Sequence, residues 1–262
     1  MNVLEKLNSF YLGFKGEKGN IGYTEKGKPI YYFKVEKTPY PKIIVQYSIH
    51  AREYITTFLA LKQIEDFIFF GKKGCVYFIP AVNVDGIEIC LKNKPLYKAN
   101  ANQVDLNVNF DAGWGKGQFN TTFKGDENYI GKNPFSESES KALRDFTLKI
   151  MPNATVSYHS KGEEIYYSFH QTGERLKKDY KIAKELERVT GYVVKETPNS
   201  FGGYKDWCIK TLKIPSFTLE VGADSLSHSI GEENLEEIYQ KNKLVIITLL
   251  ENLWKKNLCA LP

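Results

Sequence analysis

The chain contains four histidines: His50, His159, His170 and His228. Two of them close short apolar, β-branched runs. His50 follows Lys42–Ile49 (KIIVQYSI), and His159 follows Ala154–Tyr158. Glu53 stands three positions after His50, where the pattern turns helical. A strand end and the first turn of the next helix can aim both side chains at one ion. With His159 they make a set of two histidines and one carboxylate. Three protein ligands leave the fourth position of a zinc ion open to water, which is the catalytic arrangement. A lone His-x-x-Glu is more often a surface pair. Two histidines at strand ends change the weighing, because open α/β sheets bind ligands at the C-terminal edge of their strands. One zinc per chain is the expectation.

A metal-activated water needs a base close by. Glu220 lies inside the apolar run PSFTLEVG, in the strand read over Phe217–Val221. Burying a carboxylate there is costly unless it is paired or working. A working Glu220 takes the proton of the water; a salt-bridged structural role stays open.

These residues require elements to hold them. Ile21–Tyr23 and Ile30–Val35 read as a hairpin, Tyr54–Phe70 as a helix stopped by Gly71, and Val76–Ile79 as a buried strand. Pro80–Glu88 reads as a turn region, Val104–Phe110 as a strand edge and 111–135 as a long loop. Ser136 and Glu139 form a capping box for a helix ending near Ile150. Further on, Glu164–Phe169 and Tyr192–Val194 read as strands. Helices are expected at Glu174–Val189, about 204–212 and about 234–256. Strands alternate with helices without a linker or a repeat. The expectation is a single α/β domain over 1–262 with a mixed, mostly parallel sheet covered on both faces.

Composition sets further bounds. The 262 residues are 42% hydrophobic and 26% charged, a globular balance. Folding at this length buries roughly 70–75% of the extended chain's surface, so a core needs no disulfide. Cys75, Cys90, Cys208 and Cys259 are scattered and read as reduced thiols. No apolar run approaches the ~20 residues of a membrane helix. The N-terminus has no basic start followed by an apolar stretch, so a cytoplasmic location is expected. The net charge of +5 is dispersed, which argues against a nucleic-acid partner.

Several motifs occur in a fixed order: His50-Ala51-Arg52-Glu53, Asn83-Val84-Asp85-Gly86, Asp105-Leu106-Asn107-x-Asn109-Phe110, His159-Ser160, Gly202-Gly203-x-x-Asp206-Trp207 and Phe217-Thr218-Leu219-Glu220. The series resembles the zinc metallocarboxypeptidases over about residues 20–255. The resemblance implies a three-layer α/β/α sandwich around a mixed sheet of eight strands. It also implies zinc ligation by His50, Glu53 and His159, and Glu220 as the base. By the same resemblance Asp105 braces the first zinc histidine, and Arg52 and Asn107 contact substrate.

The chain departs from the digestive pattern in informative ways. Val108 stands where an arginine grips the free C-terminal carboxylate of a substrate. Pro198 replaces a tyrosine that closes over it. Tyr97-Lys98-Ala99 replaces Trp-Arg-Lys, so Lys98 offers a point charge to the scissile carbonyl and no guanidinium fork. Lys205, just before Asp206-Trp207, occupies a side-chain pocket position and favours a carboxylate there. Together with the stretch KANANQVDLNVNF, these features resemble the bacterial γ-D-glutamyl-meso-diaminopimelate peptidases. That branch implies a muropeptide substrate, and the absence of a leader in this sequence favours turnover of internalised fragments. A carboxypeptidase on ordinary peptides and a zinc amidohydrolase on small acylated amino acids are the alternative activities. A protein that binds wall fragments without cutting them is a third reading.

Overall fold

The computed structural model describes residues 1–258. Cys259 lies outside them; Cys75, Cys90 and Cys208 are buried free thiols. In chain order the elements are α1 (Val3–Gly13), β1 (Glu17–Tyr23), β2 (Pro29–Glu36), β3 (Lys42–Tyr47), α2 (Ile55–Phe70), β4 (Cys75–Ile79), α3 (Val84–Lys92) and α4 (Ser138–Ile150). They continue with β5 (Ala154–His159), β6 (Glu164–Tyr166), α5 (Gly173–Thr190), β7 (Val193–Lys195), α6 (Tyr204–Trp207), β8 (Ser216–Glu220), α7 (Leu235–Asn242) and α8 (Val245–Leu258). No helix among the described residues is long and apolar enough to cross a membrane.

The strands make one eight-stranded sheet in the order β1-β2-β4-β3-β5-β8-β6-β7. Its centre, β4-β3-β5-β8, is parallel. The flanks bring antiparallel pairs at β1–β2, β2–β4 and β6–β8. Successive side chains of a strand point to opposite faces. Ile43, Val45 and Tyr47 of β3 therefore join Val156, Tyr158, Phe217 and Leu219 on one face, under α1, α2, α5, α7 and α8. Ile44, Tyr77 and Ile79 meet Leu143 and Phe146 of α4 and Tyr204 and Trp207 of α6 on the other. Helices thus cover both faces, the expected α/β/α layering.

The second face turns polar towards the C-terminal strand ends. Register pairs Thr155 with Ser216, Ser157 with Thr218, and His159 with Glu220, while Gln46 of β3 pairs with Ser157. Three polar rows climb that face, and the last holds His159 and Glu220.

Several local expectations are corrected. Asn83-Val84-Asp85-Gly86 opens α3 and is no simple turn: Asn83 Oδ1 accepts the Gly86 N–H at 3.0 Å, and Ile87 and Cys90 are buried. Only glycine fits at position 86, since a Cβ would come within 2.6 Å of Ala99 O. Val104–Phe110 forms no strand; a 3₁₀ turn spans Leu106–Val108, capped by Asp105 Oδ1 on Asn107 N–H at 2.9 Å. Asx side chains compete with a ladder in this way. The capping box at Ser136 does not form. Helix α4 starts at Ser138 with Glu137 as its cap residue, and Ser136 Oγ donates to Glu137 Oε1. The C-terminal helix divides into α7 and α8, with buried Asn242 at the break donating to Tyr192 Oη at 2.7 Å. The N-terminal residues form α1, started by a capping box between Asn2 and Glu5.

Candidate active site

His50 closes the extended segment after β3, and a 3₁₀ turn over Ala51–Glu53 brings Glu53 back beneath it. Asn83 fixes that segment, donating from Nδ2 to Ile49 O at 3.1 Å and to Ala99 O at 3.0 Å. His159 arrives on the end of β5. His50 Nδ1 lies 2.8 Å from Glu53 Oε1. His159 Nδ1 lies 3.0 Å from Glu53 Oε2 and 3.2 Å from His50 Nδ1. Ligand atoms of a tetrahedral zinc with bonds of ~2.0–2.2 Å stand about 3.3 Å apart. The three side chains are buried and converge at about that spacing. Glu53 Oε2 faces the His159 ring without a hydrogen-bonding geometry. Buried oxygens are ordinarily satisfied, and a cation held by this donor set would satisfy this one.

Asp105 braces the set from behind. Its Oδ1 lies 3.1 Å from His50 Nε2 and its Oδ2 lies 2.7 Å from Lys98 Nζ. A carboxylate at Nε2 keeps the proton there and turns the Nδ1 lone pair towards Glu53 and His159. Burial disfavours a charge on His50, but Glu53 and Asp105 outweigh it and lift the imidazole to about 9. Burial likewise opposes ionisation of Asp105, yet Lys98 and His50 hold it well below the carboxylate range. Burial lowers His159.

Glu220 ends β8 as the register partner of His159 and is partly exposed. Burial, then the Glu53 carboxylate, push it well above the ordinary carboxylate value.

A cavity of about 340 Å³ opens beside the ligands, lined by His50, Lys98, Asp105, Asn107, Val108 and Pro198 among others. Lys98 is held there by Asp105 and by Asn128 Oδ1 at 2.6 Å. Asn107 Oδ1 also accepts the Tyr204 N–H at 3.2 Å, tying the cavity wall to α6. Arg52 stands outside that lining and donates to Glu127 Oε1 at 2.7 Å. Lys205 is buried; Nζ donates to Ser168 O at 2.7 Å and Asp206 Oδ1 at 2.5 Å, which leaves one of its three N–H donors. Asn128 was not legible as a site residue. Its left-handed backbone (φ 67°), which asparagine tolerates, lies in the loop read only as long and polar. His228 also carried no signal beyond its type; burial and then the charge of Arg52 depress its imidazole.

A family model described as zinc carboxypeptidase matches residues 16–244. The chain belongs to the zinc carboxypeptidase family. This zinc carboxypeptidase relative is 28% identical to the gamma-D-glutamyl-L-diamino acid endopeptidase 1 of Lysinibacillus sphaericus, over 92% of this chain and 68% of that protein. Of other curated relatives the chain spans less, 64% and 44% in two cases. Its fold superimposes on bovine thrombin-activatable fibrinolysis inhibitor with a TM-score of 0.87 at 22% identity, covering 98% of both chains. Against the murein-tripeptide amidase MpaA of Escherichia coli O157 the TM-score is 0.65 at 20% identity, covering 92% of this chain and 93% of that one. Family membership makes the protein a zinc-dependent hydrolase.

Proposed function

We propose that this zinc carboxypeptidase homologue hydrolyses the bond between γ-D-glutamate and meso-diaminopimelate in peptides derived from peptidoglycan. One observation carries the reading. Val108 and Pro198 line the cavity beside the ligand set, at positions where the digestive pattern has an arginine clamp and a closing tyrosine. Neither side chain can grip a free C-terminal carboxylate. The name of the Lysinibacillus relative supports the bond type.

His50, Glu53 and His159 would hold one zinc ion, which supplies a water of lowered pKa and a Lewis acid for the carbonyl. Glu220 takes the proton of the attacking water at a carboxylate oxygen and returns it to the leaving amine. Lys98, carried by Asp105, places positive charge where the carbonyl oxygen gains negative charge. Asn107 borders the substrate in the cavity, while Arg52, paired with Glu127, stands outside it.

Lys205 keeps one N–H for the distal carboxylate of diaminopimelate. A charged hydrogen bond of this kind contributes about 1.5–3 kcal/mol. The experiment compares kcat/KM for L-Ala-γ-D-Glu-meso-diaminopimelate and its L-Lys analogue. We expect a preference of roughly 10–150-fold for diaminopimelate, largely lost in Lys205→Ala. Equal rates on both peptides would contradict the proposal.

A further inference from the structure

The C-terminal tip of α2 carries apolar side chains that the fold does not cover. Phe67 is buried, but Phe69 is 77% exposed and Phe70 67% exposed. Gly71 ends the helix, and Lys72 and Lys73 follow at once. Lys37, just after β2, donates from Nζ to Ile68 O at 2.6 Å, which brings a third ammonium to the same tip. Lys73 Nζ lies 5.3 Å from the centre of the Trp254 ring, and Trp254 packs against Tyr40 with ring centres 6.5 Å apart. A groove of about 660 Å³ leads from Ile68 to the end of α1, where Phe10, Phe14 and Lys15 line it.

Single exposed apolar residues are ordinary, whereas grouped ones mark contact surfaces. The free charge around this group is mainly positive. Of the acids nearby in sequence, Glu36 is paired with Lys34 at 3.0 Å and Asp66 accepts from Tyr239 Oη, while Glu65 stands one turn before Phe69. Aromatic rings edged by lysines match an anionic lipid surface, where rings enter the headgroup layer and ammonium groups meet the negative headgroups.

Area argues against a second copy of the chain. A phenylalanine offers about 150–250 Å², so these two leave roughly 200–350 Å² uncovered. A twofold contact through them would bury about 400–700 Å², short of the ~1,200–2,000 Å² of a stable interface. Position fits a planar surface. Strands β3 and β4 begin at this edge of the sheet, with Lys42 opposite Cys75, and the ligand set stands at the other edge. Helix α2 starts two residues after Glu53, and its 16 residues put about 24 Å between the two ends.

We propose that the tip of α2 is a peripheral docking surface for an anionic lipid bilayer, with Phe69 and Phe70 in the headgroup layer and Lys37, Lys72 and Lys73 on the negative headgroups. No helix among the described residues is long and apolar enough to cross a membrane, so the contact is interfacial. A docked chain presents its active-site cavity away from the bilayer. The inference is independent of which bond the enzyme cuts.

The test is co-sedimentation of the full chain with vesicles of phosphatidylglycerol and phosphatidylcholine in equal parts, and with vesicles of phosphatidylcholine alone. The wild type should bind the mixed vesicles roughly 10–100-fold more tightly, and about 0.5 M salt should remove most of the difference. Changing Phe69→Ser and Phe70→Ser together should weaken binding to the mixed vesicles by more than ~10-fold. Changing Lys72→Gln and Lys73→Gln together should weaken it by roughly 10–30-fold, about fivefold per lysine. Both pairs lie on the surface, so the melting temperature and hydrolysis of a soluble peptide should not change. No binding to the mixed vesicles, equal binding to both kinds, or full binding by the phenylalanine variant overturns the inference. Light scattering tests the other occupant: a wild-type dimer that the phenylalanine variant turns into a monomer would assign the surface to a second copy and overturn the lipid assignment.

Discussion

His159 and Glu220 are register partners on the neighbouring parallel strands β5 and β8. The sheet itself therefore sets a candidate metal ligand beside a carboxylate, one strand spacing of about 4.8 Å away. Neither position depends on a loop. Both side chains leave the face opposite Tyr158 and Leu219, which are locked in the core.

Glu220→Gln keeps the shape of this pair and removes the proton acceptor. The variant should retain its metal and melting temperature and lose activity by about 10²–10⁴-fold. Turnover with metal content measured on the same samples checks this. Activity within tenfold of wild type would return Glu220 to a structural role.

Metal content should be one zinc per chain. His159→Ala leaves two ligands, so zinc and activity should fall together. Removing zinc from the wild type with a chelator should lower the melting temperature by roughly 5–10 °C. Elemental analysis beside calorimetry gives both numbers. Full zinc in His159→Ala would refute the ligand set.

Much of this was legible in the sequence because buried parallel strands announce themselves as short apolar runs. The strands holding His50, His159 and Glu220 were placed within two residues of their observed ends. The elements that were missed have a common cause. Asn83 and Asn109 look like turn residues by type. In the fold they act as a cap and a buried anchor: Asn109 is fully buried and its Nδ2 donates to Ile130 O at 2.9 Å. Composition cannot tell a turn asparagine from a buried one, since the difference lies in partners distant in sequence. For the same reason the clamp on Lys98 by Asn128 could not be read.

Glu139 gives a pH dependence remote from the active site. Burial pushes its carboxyl up to about 7, the Glu25 charge adds to the shift, and hydrogen bonds including that from Asn100 oppose it. The folded chain thus holds a proton that the unfolded chain releases at an ordinary 4.5. The stability tied to that proton is full below about pH 4.5 and is lost as pH rises through about 7. Glu139→Gln should therefore be more stable than wild type at pH 8, by about 1–3 kcal/mol. The gap should close by about pH 5. Denaturant melts across that range measure it, and a pH-independent difference would contradict the assignment.

The bond that is cut is the most direct test of the proposed reaction. Zinc-loaded protein should be incubated with L-Ala-γ-D-Glu-meso-diaminopimelate and with the same peptide extended by D-Ala, and the products identified by mass spectrometry. Val108 holds no carboxylate, so both substrates should be cleaved after γ-D-Glu. The products should be L-Ala-D-Glu with free diaminopimelate from the first and with diaminopimelyl-D-Ala from the second. Release of D-Ala alone, or cleavage confined to ordinary α-linked peptides, would contradict it.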